Sequence, residues 1–222
     1  MTHITGYQFS IIDRYGFGLS QNGSLDFVNV VTAKDADLPD TFEPIAAVGW
    51  ARLAPDIAVH RLPDYELGKL VTKRPVMGCD TAEVFALACG LSIKGPFSRA
   101  EESFYTHLCT VIDKYGLNDF FGHYPTEGRY HHGILPRGVD WARGCKDLPE
   151  ELKRFRAAYR KLSVAKQMLV ATIIWLYRGS RNDGPWMTGL QRSWKAVYGI
   201  LELDAAGMLE DWGELVARYP GW

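Results

Sequence analysis

Asp147-Leu-Pro-Glu-Glu-Leu-Lys-Arg-Phe-Arg-Ala-Ala-Tyr-Arg-Lys-Leu162 is the stretch that decides the fold of this chain. Its proline predicts a helix start, because the first helical turn makes no use of the missing N–H. At 100° per residue the apolar side chains fall within an arc of about 80°, and the cations spread over about 160° on the other side. The stretch therefore predicts an amphipathic helix. Its apolar stripe is Leu152, Phe155, Tyr159 and Leu162, and its cations are Lys153, Arg154, Arg156, Arg160 and Lys161.

Positive charge is concentrated around this stretch, although the whole chain of 222 residues has a formal net charge of −1. Residues 151–200 contain ten Lys and Arg against Glu151 and Asp183. The last part of the chain, residues 201–222, contains Arg218 against five acidic residues. Such asymmetry indicates an anionic partner for the basic segment and says nothing about the fold.

The basic segment predicts contact with a nucleic-acid backbone, since cations along a helix displace its counterions without reading sequence. Tyr177 and Trp186 are candidate stacking residues, which would suit RNA or single-stranded DNA. The alternatives are an acidic protein partner and a solvated or internally paired face, although a solvated helix normally mixes both signs of charge. The predicted nucleic-acid-binding residues are Lys153, Arg154, Arg156, Arg160, Lys161, Arg178, Arg181, Arg192 and Lys195.

Residues 1–75 are predicted to form a β-rich portion. The segments 7–13 and 25–31 have strand-like patterns, and Asn22-Gly23 between them is a strong hairpin signal. Further strands are expected at Pro44–Leu53 and Ile57–Leu62. The predicted fold class is α+β, in which this portion, with its hairpin or hairpins, packs with a larger helical C-terminal portion as one compact unit.

Residues 76–222 are predicted to be mainly helical. Asp80–Glu83 and Ser98–Glu101 have capping-box sequences, and Gly90 and Gly116 mark helix ends. The basic helix is expected either to run on to Tyr177 or to break near Ser163. An apolar stripe at helical spacing follows the second box and consists of Phe104, Leu108, Val111, Ile112 and Tyr115.

Residues 117–147 show no periodicity and are predicted to form a long ordered loop rich in chemically active side chains. Within it, the His-Gly loop 122–133 offers candidates for acid–base chemistry, nucleophilic chemistry or metal binding. Neither HExxH nor a CxxC pair is present, so no metal is predicted. The alternative is a loop whose polar side chains bond locally. The candidate catalytic residues are His123, His131, His132 and Cys145.

The N-terminal sequence lacks the basic and apolar regions of a secretory signal, which predicts a cytoplasmic location with reduced thiols. The longest apolar run, residues 168–177, is about half of the roughly 20 residues that cross a membrane, so no membrane contact is predicted. No cofactor is predicted, because the chain contains neither a GxxxxGK[ST] nor a GxGxxG sequence.

Together these features predict a non-catalytic, nucleic-acid-contacting subunit of a larger nucleoprotein assembly that also binds protein. A CRISPR-effector complex in antiviral defence is an example by analogy only. One alternative is a protein-binding inhibitor or adaptor, such as a phage-encoded antagonist of a host complex. The other is a small hydrolase or nuclease centred on the His-Gly loop 122–133.

Overall fold

The computed structural model describes residues 17–19, 25–27, 44–53, 55–62, 64–73, 79–124, 130–178 and 183–221. The strands are β1 (Phe17–Leu19), β2 (Leu25–Phe27), β3 (Phe121–His123), β4 (Ile134–Pro136), β5 (Val139–Asp140) and β6 (Lys146–Asp147). The helices are α1 (Pro44–Leu53), α2 (Pro55–Arg61), α3 (Leu67–Lys73), α4 (Cys79–Ala88), α5 (Glu101–Tyr115), α6 (Pro149–Tyr159), α7 (Val164–Arg178), α8 (Gly184–Met187), α9 (Ala196–Ala205) and α10 (Leu209–Arg218).

The described residues are mainly helical, with short antiparallel hairpins, which supports the α+β class in this coarse form. A β-rich N-terminal portion is not supported. The hairpin β1–β2, with Phe17 opposite Phe27, is the β-structure described in that portion. The predicted strand at 7–13 and the Asn22-Gly23 turn lie outside the described residues, as do residues 28–31 of the second predicted strand.

The predicted strands at 44–53 and 57–62 are wrong, because these residues lie largely in helices α1 and α2. Pro44 and Pro55 stand at the first position of each helix, where proline is tolerated and its fixed φ favours helix. α1 also contains three alanines, the best helix formers. Its buried hydrophobic residues are Ile45, Ala47, Val48, Trp50 and Ala51, which lie on more than one side of the helix, so no strand-like or one-faced pattern is present.

The helices predicted after residue 79 agree better with the structure. α4 ends just before Gly90, whose φ is 100°. α5 ends at Gly116, whose left-handed φ of 66° lets its N–H bond back to the last turn. Ser98 does not cap α5 as predicted, because its Oγ accepts from the N–H of Ala100 at 3.1 Å. The whole predicted apolar stripe of α5 is buried, which confirms it as the core face.

The basic helix breaks before Ser163, which settles the alternative that the sequence left open. α6 ends at Tyr159, and α7 begins at Val164 after a short turn. Every residue of α7 from Met168 to Tyr177 is buried, so this helix is the centre of its core. In the described residues, no helix has both the length and the apolar character needed to cross a membrane.

Contacts divide the chain into two compact units. Unit 1 comprises Met1–Phe97 and Trp194–Ala217, and unit 2 comprises Ser98–Ser193 and Arg218–Trp222. In unit 1, α9 packs on α1 and α3, and the backbone N–H of Leu67 bonds to the carbonyl of Trp194 at 2.8 Å. The unit boundaries fall elsewhere than the predicted division at residue 75, and the prediction of one compact body stays a prediction.

Unit 2 contains α5 to α8 and two short hairpins that seat the basic helix. β3 pairs with β4, and β5 pairs with β6 immediately before α6 begins. Gly138 lies between β4 and β5, and its carbonyl accepts from the N–H of Leu148 at 2.8 Å. A side chain on Gly138 would collide with Leu152 of α6, since an added Cβ would lie 2.6 Å from Leu152 Cδ2.

The substitution Gly138→Ala is expected to lower the free energy of unfolding by about 2 kcal/mol. The φ of Gly138 is +102°, which is unfavourable for alanine, and Leu152 would also have to move. Gly189→Ala is the matched control, because Gly189 also has a positive φ but has nothing within 4 Å of an added Cβ. Urea denaturation measures both. An equal loss in the two variants would contradict a close contact between Gly138 and α6.

Candidate nucleic-acid interface

Helix α6 is fixed in unit 2 by its apolar side. Leu152, Phe155 and Tyr159 are buried as predicted, whereas Leu162 lies beyond the helix end and is half-buried. The Phe155 ring meets the edge of Phe120 with centroids 5.0 Å apart. The Tyr159 hydroxyl lies 3.2 Å from the carbonyl oxygen of Gln191. The hydroxyl contact and the burial of these side chains fix one side of the helix against unit 2. The opposite side of α6 is therefore the side left for solvent or a partner.

Four cations form what is called here the basic face: Lys153 and Arg154 on α6, and Arg160 and Lys161 in the turn directly after it. All four side chains are exposed. None of them makes a hydrogen bond or ion pair within the part of the chain that the structure describes.

The helix dipole accounts for part of this charge pattern. Glu150 and Glu151 lie in the first turn of α6, where carboxylates are favoured, and Arg160 and Lys161 follow its last turn, where cations are favoured. Lys153 and Arg154 lie nearer the N-terminus, where a cation gains nothing from the dipole. These two residues are the part of the basic face that helix stability does not explain.

Two of the predicted nucleic-acid contacts are instead engaged inside unit 2. The guanidinium of Arg156 is half-buried and donates to the carbonyl oxygen of Pro185, which holds α8 against α6. The guanidinium of Arg192 forms an ion pair with the buried carboxylate of Asp183. The other oxygen of that carboxylate accepts from Trp175 Nε1 at 2.8 Å. Both arginines therefore have structural partners that periodicity in the sequence did not reveal.

The remaining predicted contacts are distributed differently. Arg178 is exposed at the end of α7, and its guanidinium carbon lies 5.6 Å from the ring centroid of Trp141. Lys195 is exposed but belongs to unit 1, where it pairs with Glu66 in an isolated β-bridge. Arg181 lies outside the described residues.

The predicted stacking residues are not accessible. Trp186 is 1 % exposed and Tyr177 is 4 % exposed, so neither ring offers a face to a base. Trp186 stacks on Trp141 with the ring planes 13° apart, and its Nε1 donates to the carbonyl oxygen of Arg137 at 2.8 Å. The exposed guanidinium of Arg178 also lies near the Trp141 ring, and its plane can itself support a base.

A cleft of about 520 Å³ lies against α6, and the sequence did not indicate it. Its charged side chains come from three places: Asp119 before β3, Arg137 after β4, and Glu151 and Arg154 on α6. Within the described residues these groups form no ion pair with one another. The described lining is Asp119, Arg137, Glu151, Arg154, Phe155 and Ala158.

Tyr124 lies within the electrostatic influence of this cleft. Burial raises the pKa of its phenol, and the carboxylates of Glu151 and Asp140 raise it further, while Arg137 lowers it. Its ring covers Gly122, where an added Cβ would lie 3.3 Å from Tyr124 Cε2. Tyr124 therefore keeps its proton at neutral pH and can donate a hydrogen bond.

The candidate catalytic residues of the His-Gly loop occupy different environments. His131 is fully buried, with its ring packed against Phe104 and Tyr219 and its carbonyl oxygen accepting from the hydroxyl of Tyr177 at 2.8 Å. His132 is half-buried beside it, with ring centroids 4.2 Å apart. His123 on β3 and Cys145 in the β5–β6 hairpin are both exposed.

His131 therefore serves the aromatic core of unit 2. Among the described residues, no group of three or more His, Cys, Asp and Glu side chains could hold a metal ion.

No protein-family model, curated protein or solved structure matches this chain. The function must therefore be argued from the chemistry of unit 2.

Proposed function

We propose that this chain is a non-catalytic subunit that contacts nucleic acid through the basic face of α6 within a larger nucleoprotein assembly. The observation that supports the proposal is the exposure of Lys153, Arg154, Arg160 and Lys161 without ion pairs among the described residues. Unpaired cations on a rigid helix can neutralise phosphates and release their counterions. Arg178 adds a guanidinium from the same unit.

The modest charge of the whole chain limits the affinity of such a surface. A pI of about 6.6 is lower than that of free-standing nucleic-acid binders, which are usually basic. A small basic face on a neutral protein suits a subunit that meets the nucleic acid on one side and other proteins elsewhere. The contact would position a phosphate backbone without reading its sequence.

The test is salt-dependent binding to a single-stranded 12-mer. The triple variant Lys153→Glu, Arg160→Glu, Lys161→Glu is expected to bind at least ~10-fold more weakly at low salt. The slope of log affinity against log salt concentration should also fall by about 2, because roughly 0.7 is lost per phosphate contact on a single strand. These positions avoid Arg156 and Arg192, whose replacement would disturb packing.

The matched control is Lys69→Glu, Lys94→Glu, Lys146→Glu. These lysines are also exposed, and their replacement changes the net charge by the same amount, but none of them belongs to the basic face. The control is expected to bind within about threefold of the original protein at physiological salt, since exposed charges that make no contact with the strand are largely screened. Equal losses in both triples would refute a localised interface. No salt-dependent binding by the original protein would refute the proposal itself.

The two other predicted functions remain distinguishable by this measurement. An inhibitor or adaptor would bind a protein partner after nuclease treatment and would show no affinity for the 12-mer. A hydrolase centred on the His-Gly loop would turn over a substrate, with activity lost on replacing His132. No contact or distance described above favours either over the basic face.

A further inference from the structure

The cleft beside α6 holds two signs of charge that form no ion pair with one another among the described residues. Its volume, about 520 Å³, lies within the range of roughly 300–1,000 Å³ typical of small-ligand sites. Arg137 and Arg154 contribute guanidiniums, and Asp119 and Glu151 contribute carboxylates. A ligand that fills the cleft must therefore accept hydrogen bonds from the two guanidiniums and donate hydrogen bonds to the two carboxylates.

The two guanidiniums suit a phosphate, whose oxygens match the planar fork of arginine. Arg137 is already positioned, because its Nε donates to the carbonyl oxygen of Asn118 at 3.3 Å. Its backbone is held as well, since its N–H donates to the Phe120 carbonyl at 2.9 Å and its own carbonyl accepts from Trp186. The two terminal nitrogens of Arg137 are thereby left for a ligand.

The two carboxylates select among phosphate-containing ligands. Beside a phosphodiester, Asp119 and Glu151 repel the strand unless the ligand also donates hydrogen bonds to them. The ribose 2′-hydroxyl is such a donor, and deoxyribose lacks it. Ala158, which is half-buried, supplies an apolar contact for the sugar, while the buried Phe155 only closes the cleft behind it. Arg154 belongs to both the cleft and the basic face, so one strand can reach the two together.

We propose that this cleft binds one ribonucleotide unit, with its phosphate at Arg137 and Arg154 and its 2′-hydroxyl at Glu151 or Asp119. The cleft thereby gives the chain a preference for RNA over single-stranded DNA. This inference deepens the proposed function and rests on it for the polymeric form of the ligand. The same ribose phosphate could also arrive as a free nucleotide, which the experiment separates.

The experiment compares oligouridylate and oligodeoxyuridylate 12-mers, which differ only in the 2′-hydroxyl, by fluorescence anisotropy with the full chain. A second arm titrates uridine 5′-monophosphate and its deoxy counterpart by ligand-observed NMR. The original protein is expected to bind the RNA about tenfold more tightly than the DNA, the effect of one hydrogen bond to a charged group. Uridine 5′-monophosphate should likewise bind more tightly than its deoxy counterpart.

Two variants assign the preference to the cleft. Asp119→Asn with Glu151→Gln is expected to remove the RNA preference, chiefly by strengthening DNA binding. Asp147→Asn with Glu150→Gln is the matched control, because both carboxylates are exposed and neither is among the described residues of the lining. The control should gain affinity for both polymers equally and keep their ratio. Arg137→Gln should weaken binding of the mononucleotide, whereas the basic-face triple variant should leave that binding unchanged.

Each outcome separates the two proposals. Strong, salt-dependent binding with no RNA preference would refute the ribonucleotide site in the cleft but would leave the proposed nucleic-acid contact of the basic face standing. Binding of the mononucleotide through Arg137, without affinity for either polymer, would show that the cleft is a site for free nucleotides. It would refute the proposal that the basic face contacts nucleic acid. Absence of binding in both arms would refute both. A preference that survives Asp119→Asn with Glu151→Gln would refute the assigned role of the carboxylates.

Discussion

The substitution Trp186→Ala is expected to lower the free energy of unfolding by roughly 3–5 kcal/mol, the usual cost of removing a buried tryptophan. Trp186 is among the largest fully buried side chains of the described residues. It stacks on Trp141, and its Nε1 donates to the carbonyl of Arg137 at 2.8 Å. The loss therefore combines a cavity with a carbonyl that has lost its donor, although Arg156 and the buried Met187 also hold α8.

Trp186→Phe separates these two causes. The phenyl ring keeps most of the packing but cannot donate to Arg137, so a loss of about 1–3 kcal/mol is expected. Tyr130→Ala is the control, because Tyr130 is 48 % exposed and its loss should cost less than about 1 kcal/mol. Urea denaturation followed by circular dichroism measures all three. If Trp186→Ala were no less stable than Tyr130→Ala, the burial of α8 described here would be wrong.

The substitution Arg192→Met is expected to cost about 3 kcal/mol, because it leaves the buried carboxylate of Asp183 without a counter-charge. That carboxylate keeps only the hydrogen bond from Trp175 Nε1. The Arg192 side chain is 46 % exposed, so solvent screens its attraction, and most of the loss comes from the isolated buried charge rather than from the pair itself.

A double-mutant cycle tests this explanation. Adding Asp183→Asn to Arg192→Met should restore part of the stability, because a neutral amide needs no counter-charge and can still accept from Trp175. Arg178→Met is the control for loss of a cation, since Arg178 is exposed and forms no ion pair among the described residues. Equal stability of Arg192→Met and Arg178→Met in urea would show that Asp183 does not depend on Arg192.

These predictions also explain why Arg156 and Arg192 are poor choices for testing nucleic-acid binding. Replacing either would weaken binding by disturbing unit 2, and the result would be mistaken for lost phosphate contacts. The basic-face triple avoids this error, because its three side chains are exposed. A binding defect in that triple, with an unchanged urea midpoint, would assign the effect to charge alone.

The sequence alone determined the helices whose signals are local. The stripe of α5 and its end at Gly116 follow from spacing and from the freedom of glycine at positive φ, and both were predicted. The two faces of α6 were predicted for the same reason, since the helical period by itself places Leu152, Phe155 and Tyr159 on one side. Local patterns failed at 44–53 and 57–62, where short apolar runs between prolines fit a strand and a helix equally well.

Tertiary structure decided which of the patterned residues are available for function. Periodicity placed Arg156 with the other cations, yet Pro185, 29 residues away, accepts its hydrogen bond. Trp186 was a candidate for stacking and is instead buried. The cleft was not predicted, because Asp119 and Arg137 reach α6 only through the pairing of β3 with β4. A helical period reports the faces of one helix, whereas the partner that covers each face depends on contacts between distant segments.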